Sequence, residues 1–477
     1  MRIAWKDLAA AESRDLHGRQ IELEGWPLPP PDFDPDIDSA SSDYFVLADD
    51  ALCCAGCLPQ DPNRRIEIFA AEPVPLGGLL GLSGRLTRLP DADASGWRYQ
   101  LHDARRLPMP HAAGSSRRAV LGAALNLGLA FGLSAWQPAS AIAAEIDPEP
   151  GRRALAGRLT IDLHSHAGAI NGVRRIAERA PYRPVAAPMR AGGMAAICLS
   201  VVADSPVTHV DADRRIRPVR DPKPGELYEH TSRAIERALG LAREQKLGII
   251  RSSADLRAAS AERPSVIIAS EGADFLEGKL ERVDAAYRDW HLRHLQLTHY
   301  RPNELGDIQT EPAVHGGLSD FGAAVIERCN ALGIVVDVAH GPIALVQRAA
   351  KISRKPLVLS HTSFLARPGE FSRRINAEHA KLIAETGGVI GIWPPQTVYE
   401  DLNAMAAGMA RLAKLIGIDH VGLGSDMMGL VSASIFPSYE SLPQLASALL
   451  LQGIDEDGVR KMLGGNYARV FEQSLAG

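Results

Sequence analysis

The chain is 477 residues long, 23% charged and 46% hydrophobic, with 52 Lys and Arg against 57 Asp and Glu and a formal net charge of −5. One barrel of roughly 250 to 350 residues leaves a remainder at that length, so two folded units are expected. The acidic balance excludes nucleic acid as a partner held by phosphate neutralisation, and five cysteines are too few for a disulfide framework.

Residues 1–110 carry short alternating runs, such as Ile21-Glu-Leu-Glu-Gly25 and Tyr44-Phe-Val-Leu47, separated by Pro, Asp and Gly. That pattern belongs to a small β-rich domain. The run Gly25-Trp-Pro-Leu-Pro29 and the cluster Cys53-Cys54-Ala55-Gly56-Cys57 resemble a small OB-like domain of bacterial exported proteins. The cysteine cluster itself is open between a disulfide, half of a metal site and small residues at a turn. No second CxxC or His pair follows at zinc-finger spacing, and no acid, base and nucleophile cluster here. Cys198 and Cys329 lie in apolar stretches and read as core.

The composition changes across residues 111–150. Ser115-Ser116-Arg117-Arg118 opens an apolar run that ends near Trp136 and is followed by the small residues Ala139, Ser140, Ala141 and Ala143. The segment resembles a twin-arginine export signal placed inside the chain. It implies a bacterial periplasmic protein, or one anchored through residues 119–136 with its C-terminal domain facing the periplasm. A helix buried between two domains is the alternative.

Residues 151–477 alternate short apolar, β-branched runs with longer segments of helical period, the grammar of βαβ units. Eight strands are predicted, over 159–164, 195–204, 265–270, 294–299, 334–340, 356–361, 389–393 and 421–426. Ser319 caps a helix that Gly333 stops, and Met and Leu recur at three- and four-residue spacing over 403–416. Eight strands with crossover helices predict an α/β fold of the (β/α)8 TIM-barrel type, whose strand ends converge on one centre, as those of a doubly wound sheet do not.

The C-terminal strand ends carry His164 and His166, Asp204, Glu271, His299, His340, His361, Trp393 and Asp426. A lone histidine there is more often a hydrogen-bonded structural residue than a ligand. Five of the chain's fifteen histidines at such positions, joined by Glu271 and Asp426, point instead to a metal site. Imidazole and carboxylate suit zinc, cobalt or manganese, and Glu271 is placed to bridge two ions roughly 3.5 Å apart. Met427, Met428 and Trp393 read as pocket wall or core, and His291 and His294 as structural. Asp204 is open between the barrel mouth and a solvated loop. Asp162, two residues before His164, is expected to share its inward direction and support it.

From 159 to 471 the chain resembles the renal or membrane dipeptidase family of zinc peptidases. The resembling segments are Ile161-Asp-Leu-His-Ser-His166, Ala269-Ser-Glu-Gly272, Leu295-Gln-Leu-Thr-His299, Gly317-Leu-Ser-Asp-Phe-Gly322, Ile334-Val-Val-Asp-Val-Ala-His340, Val358-Leu-Ser-His361, Arg373-Arg374, Gly422-Leu-Gly-Ser-Asp426 and Met462-Leu-Gly-Gly-Asn-Tyr-Ala-Arg-Val-Phe471. The resemblance implies two divalent ions, of zinc, one on His164, His166 and Glu271 and the other on Glu271, His340 and His361. It makes His299 the contact for substrate and its oxyanion, Arg374 the partner of the substrate carboxylate, and Asp426 the group that moves the proton. The implied reaction is cleavage of a small peptide amide by a metal-bridged hydroxide.

Two positions depart from the family pattern: His166 replaces the usual aspartate of the first strand, and Met428 the second acidic residue after the last. A neutral ligand for an anionic one raises the site's charge by one unit. His166 therefore favours a second reading, an amidohydrolase acting on a cyclic amide or lactone, which leaves Arg374 without a role. A metal-free barrel acting as scaffold is the third, and the complete ligand set argues against it. Homo-oligomerisation is compatible with every reading.

The export reading has a direct test. Replacing Arg117 and Arg118 together by lysine keeps the charge and removes the paired motif, and should leave the barrel in the cytoplasmic fraction. Unchanged fractionation excludes twin-arginine routing.

Overall fold

Period-two alternation builds the first unit. The computed structural model describes residues 1–9, 16–28, 41–49, 62–75, 79–88, 98–107, 146–171, 182–211, 215–369 and 371–475. Cys53, Cys54, Cys57, Arg117, Arg118 and the apolar segment 119–136 lie outside these residues. The chain divides into Met1–Glu145 and Ile146–Gly477. In the first unit β1 (Gln20–Leu28), β2 (Ser41–Ala48), β3 (Arg65–Pro75), β4 (Leu80–Arg88) and β5 (Tyr99–Arg106) close a barrel in the order β1-β2-β3-β5-β4. All pairs are antiparallel except β3 with β5. Ile21 and Leu23, Phe45 and Leu47, Ile66 and Ile68, and Leu80 and Leu82 alternate into one core.

The second unit contains the eight expected runs as strands: β6 (Ile161–Ser165), β7 (Ala196–Val202), β11 (Ser265–Glu271), β12 (His294–Gln296), β13 (Val335–Asp337), β14 (Leu357–Thr362), β15 (Val389–Ile392) and β16 (Val421–Leu423). Between β7 and β11 come a small hairpin of β8 (Thr208–Val210) and β9 (Ile216–Pro218), and the two-residue β10 (Gly248–Ile249), which pairs with the start of β11. The eight long-range partners are all parallel, and the pairing of β16 with β6 closes the barrel. Every described side chain of these strands except Val202 is buried.

Two apolar layers follow from the alternation. Ile161, Leu163, Ala196, Cys198, Ile267, Ala269, Val335, Val358 and Val389 form one with Tyr467, Val470 and Phe471 of the last helix, Asn466–Leu475. Their alternates, such as Ile197, Leu199, Val266 and Ile268, pack with the surrounding helices. The expected helix signals hold: Ser319 Oγ accepts from Gly322 N, and Gly333 ends the helix Asp320–Leu332 with φ of 78°. The helix Leu402–Ile416 is capped by Asp401.

Close backbone approach sets the spacing near the later strand ends. A Cβ on Gly391 of β15 would lie 1.7 Å from the Ser360 carbonyl oxygen, and one on Gly424 would lie 1.8 Å from the same atom. Only glycine lets these segments draw together beside His361. Cys198 and Cys329 are buried free thiols. Among the described residues no helix is long and apolar enough to cross a membrane.

Candidate metal centre

Each candidate ligand stands at or just past the C-terminal end of a strand, and all are buried. His164 lies within β6 and His166 just beyond it; Glu271 ends β11; His361 lies in β14. His299, His340 and Asp426 stand three residues past β12, β13 and β16. His340 and Asp426 adopt the left-handed backbone conformation, with φ of 68° and 48°, which costs a non-glycine residue energy and occurs where the surrounding structure enforces it. Gly429 leaves room for Asp426 and His166: a Cβ there would sit 2.1 Å from Asp426 Oδ1 and 2.3 Å from His166 Cδ2.

Two imidazole pairs face each other around one carboxylate. His164 Nε2 is 3.1 Å from His166 Nε2, and His340 Nε2 is 3.0 Å from His361 Nε2. Glu271 Oε1 lies 3.4, 3.2 and 3.3 Å from Nε2 of His164, His340 and His361. Its Oε2 lies 3.3 Å from Nε2 of His166 and 3.3 Å from that of His299. Asp426 Oδ1 is 3.3 Å from His166 Nε2. Each facing pair of ring nitrogens has room for at most one proton between them, and with that proton gone both can offer a lone pair to a common ion. Three overlapping groups, His164–His166–Asp426, His164–Glu271–His361 and Glu271–His299–His340, bring ligating atoms within 4.8 Å of one another.

The electrostatics fit a cation. Burial opposes charge on His166, but its hydrogen bonds to Asp426 and Glu271 outweigh burial and lift the ring to about 10. Burial likewise opposes charge on Glu271, yet the imidazoles of His299 and His164 hold it well below the usual carboxylate range. Burial, reinforced by the Arg373 charge, keeps His340 well below the ordinary histidine value. Burial and the neighbouring His164 bring His361 down to about 4. The imidazoles of His340 and His361, held neutral, beside the buried anions Glu271 and Asp426 are donors suited to a divalent transition-metal ion, and the charge that the acids stabilise on His166 marks a place where positive charge is favoured. His166 Nδ1 donates to the Ser200 carbonyl at 2.8 Å, which leaves Nε2 as its ligating atom.

Two aspartates fix the strand ends through backbone amides. Asp337 Oδ1 accepts from Ala339 N at 2.9 Å and Ser360 N at 3.0 Å, the amides preceding His340 and His361. Its Oδ2 meets His294 Nε2 at 3.1 Å, and His294 Nδ1 meets the Tyr467 hydroxyl at 2.8 Å. Asp162 Oδ1 accepts from His164 N at 3.3 Å and Ser425 N at 2.8 Å, while its Oδ2 takes the Tyr439 hydroxyl at 2.9 Å. It thus supports His164 through the main chain, not through the ring. His294 is structural as expected, and Asp337 is the residue that sequence reasoning passed over. Its Asp-x-x-His spacing to His340, beside Asp162-x-His164, was the available signal.

Asp204 is buried at the mouth rather than solvated, with Oδ1 2.6 Å from His299 Nδ1 and Oδ2 accepting from Tyr300 N at 3.0 Å. Of the arginine pair, Arg373 is the one brought against the imidazoles. Its Nη1 donates to Gln309 Oε1 at 2.6 Å, its Nη2 to the His361 carbonyl at 3.4 Å, and its guanidinium lies 5.4 Å from the Trp393 ring centre. Its Nε is buried without a hydrogen-bond partner. Burial raises the Tyr300 phenol and the Arg373 charge opposes that rise, whereas the Arg374 charge is felt at Tyr399. Trp393 is pocket wall, its ring 5.9 Å from that of His361.

A parallel eight-stranded barrel with a buried histidine and carboxylate cluster at its C-terminal mouth defines a metal-binding (β/α)8 protein. The chain belongs to the membrane dipeptidase family, peptidase family M19, whose model matches residues 175–476. The match includes Glu271, His299, His340, His361 and Asp426 and begins after His164 and His166. The chain is 30% identical over 218 residues to Dipeptidase aclJ of Aspergillus oryzae, covering 44% of this chain and 51% of that protein. It is 28% identical over 234 residues to Dipeptidase verJ of Clonostachys rogersoniana, covering 48% and 60%. The chain therefore spans about half of the curated relatives it matches. Its fold is similar to that of a metallo peptidase from Rhodobacter sphaeroides solved with a phosphinate mimic of the dipeptide L-Ala-D-Ala, with a TM-score of 0.59, 21% identity, and coverage of 66% of this chain and 99% of that one.

Asp337 provides a test of how the ligand geometry is held. In Asp337→Asn one of the three N–H groups now facing the carboxylate must meet an amide donor instead, which should weaken metal retention by about 10–100-fold while the barrel stays folded. Competition with a chelator, alongside circular dichroism, measures both. Wild-type retention in a folded variant excludes the role.

Proposed function

We propose that the barrel is a metal-dependent dipeptidase that hydrolyses the amide of a short peptide with a free carboxylate. The observation that carries this reading is the pair of facing Nε2 couples on either side of Glu271. Two divalent ions, of zinc by donor type, would be held by His164, His166 and Glu271 and by Glu271, His340 and His361. Bound there, they supply Lewis-acid polarisation of the scissile carbonyl and a water made acidic enough to attack near neutral pH.

The chain's own groups do the rest. Asp426, held in its anionic form against burial by its hydrogen bond to His166, takes the water's proton at a carboxylate oxygen and passes it to the leaving amine. His299 directs Nε2 at the oxygen that gains charge as the carbonyl becomes tetrahedral. The family resemblance assigns the substrate carboxylate to Arg374; the unpartnered Nε beside Trp393 supports Arg373 in that role. A substrate ending in a D-residue, as in cell-wall fragments, is supported by the dipeptide mimic bound to the Rhodobacter relative in fold.

Export to the periplasm, or membrane anchoring through residues 119–136, belongs to the same proposal and rests on Arg117, Arg118 and the apolar run after them. An OB-like reading of the first unit is supported by the strand order β1-β2-β3-β5-β4 with its single parallel pair. The second reading, hydrolysis of a cyclic amide or lactone, is favoured by His166 where the family has an acid.

Reconstitution with zinc followed by elemental analysis should give two equivalents per chain, and less than one would sink the proposal. Substitution of the arginines separates the two substrate readings. Replacing the arginine that binds the carboxylate by alanine should raise KM for free dipeptides by the equivalent of about 2–5 kcal/mol and leave their C-terminal amides nearly unaffected. Comparing Arg373→Ala with Arg374→Ala identifies which arginine acts. Equal losses on acids and amides in both variants move the cyclic-amide or lactone reading ahead.

A further inference from the structure

Asp204 and His299 are 95 positions apart in the chain, yet the fold brings Oδ1 of one within 2.6 Å of Nδ1 of the other. Asp204 follows β7 and His299 follows β12, and both strands flank β11, which carries Glu271. The carboxylate is wholly buried, and its two oxygens have separate donors: Oδ1 faces the imidazole and Oδ2 takes the Tyr300 amide at 3.0 Å. A carboxylate this close to a ring nitrogen needs a hydrogen on Nδ1. The ring is then fixed in direction, with Nε2 turned to Glu271 Oε2 at 3.3 Å and the ring edged by Tyr300 and His340 at 4.6 and 4.8 Å between centres.

We infer that Asp204 is a positioning residue for His299: by accepting the Nδ1 hydrogen it holds the imidazole in the one orientation in which Nε2 faces the reacting carbonyl. The role rests on the hydrolase reading, but the geometry behind it does not. The Tyr300 bond makes the device specific to a carboxylate. Asparagine keeps the shape but has one acceptor oxygen, so it satisfies either the Tyr300 amide or the imidazole and turns an N–H toward the other. Asp274, the nearby acid, has its two oxygens engaged by Arg301 and Asn303 instead.

The experiment uses the full-length, metal-loaded chain and its Asp204→Asn, Asp204→Ala, His299→Ala and Asp204→Asn/His299→Ala forms. Loss of such an outer partner should lower kcat by about 10–100-fold. KM and metal content should stay unchanged. The double variant should be no slower than the worse single one, because Asp204 acts only through His299. In protein labelled with 15N-histidine, the wild type should show a protonated Nδ1 resonance assigned to His299 by its disappearance in His299→Ala. That resonance should be lost or moved in Asp204→Asn. Losses that multiply in the double variant, or an unmoved resonance in Asp204→Asn, overturn the inference. Failure of both Asp204 variants to fold makes Asp204 a folding residue and overturns it too. If the wild type cleaves no peptide or lactam, the hydrolase reading falls, and the resonance still decides whether Asp204 fixes the ring.

Discussion

The carboxylate of Glu271 is buried among five imidazoles, each with Nε2 3.2 to 3.4 Å from one of its oxygens. An ionised carboxylate removed from water costs several kcal/mol unless positive charge accompanies it. The site therefore requires either protons on its histidines or cations in their place. Most of the unusual features around the mouth follow from that requirement. His340 and Asp426 accept left-handed backbone, Gly429 forgoes a side chain, and His361 is kept neutral by its surroundings.

Holding five rings at such distances is a problem of backbone placement before it is one of side-chain choice. Asp162 and Asp337 address it from beneath, bonding amides rather than ligand rings and each joining two strand ends. Asp162 acts where the barrel closes, since β16 and β6 share the single registered pair Leu423 with Asp162. Its bonds to Ser425 and Tyr439 therefore close the barrel and set Asp426 beside His164 and His166 in the same contact. Burial lifts Asp162 to about 6 against the hydrogen bonds that lower it, a measure of how fully this carboxylate has been withdrawn from water.

All eight strands, the Ser319 cap, the Gly333 stop and the neutral core positions of Cys198 and Cys329 are legible in the sequence, because period and capping are local properties of the chain. The candidate ligands were legible for a related reason. A histidine or acid that ends an apolar run of a parallel barrel has one place to go, the C-terminal mouth. Direction was less legible. Arg373 and Arg374 are adjacent, and nothing local distinguishes which of them turns toward Gln309 and the His361 carbonyl. Asp204 read equally as a solvated loop acid, since its partner lies 95 residues away.

The sequence by itself determined the alternation of strand and helix, the chemistry available at the strand ends and the family to which that order of motifs belongs. Those are fixed by local periodicity and by residue type. Tertiary structure alone decided that the Nε2 atoms face one another in pairs about Glu271, that Asp337 and Asp162 tie strand ends together, and that Asp204 rather than solvent meets His299. These depend on barrel closure, which sets distances between groups 21 to 277 residues apart along the chain. No local preference of the intervening residues encodes such a distance; it is imposed when parallel pairing brings eight strand ends around one axis.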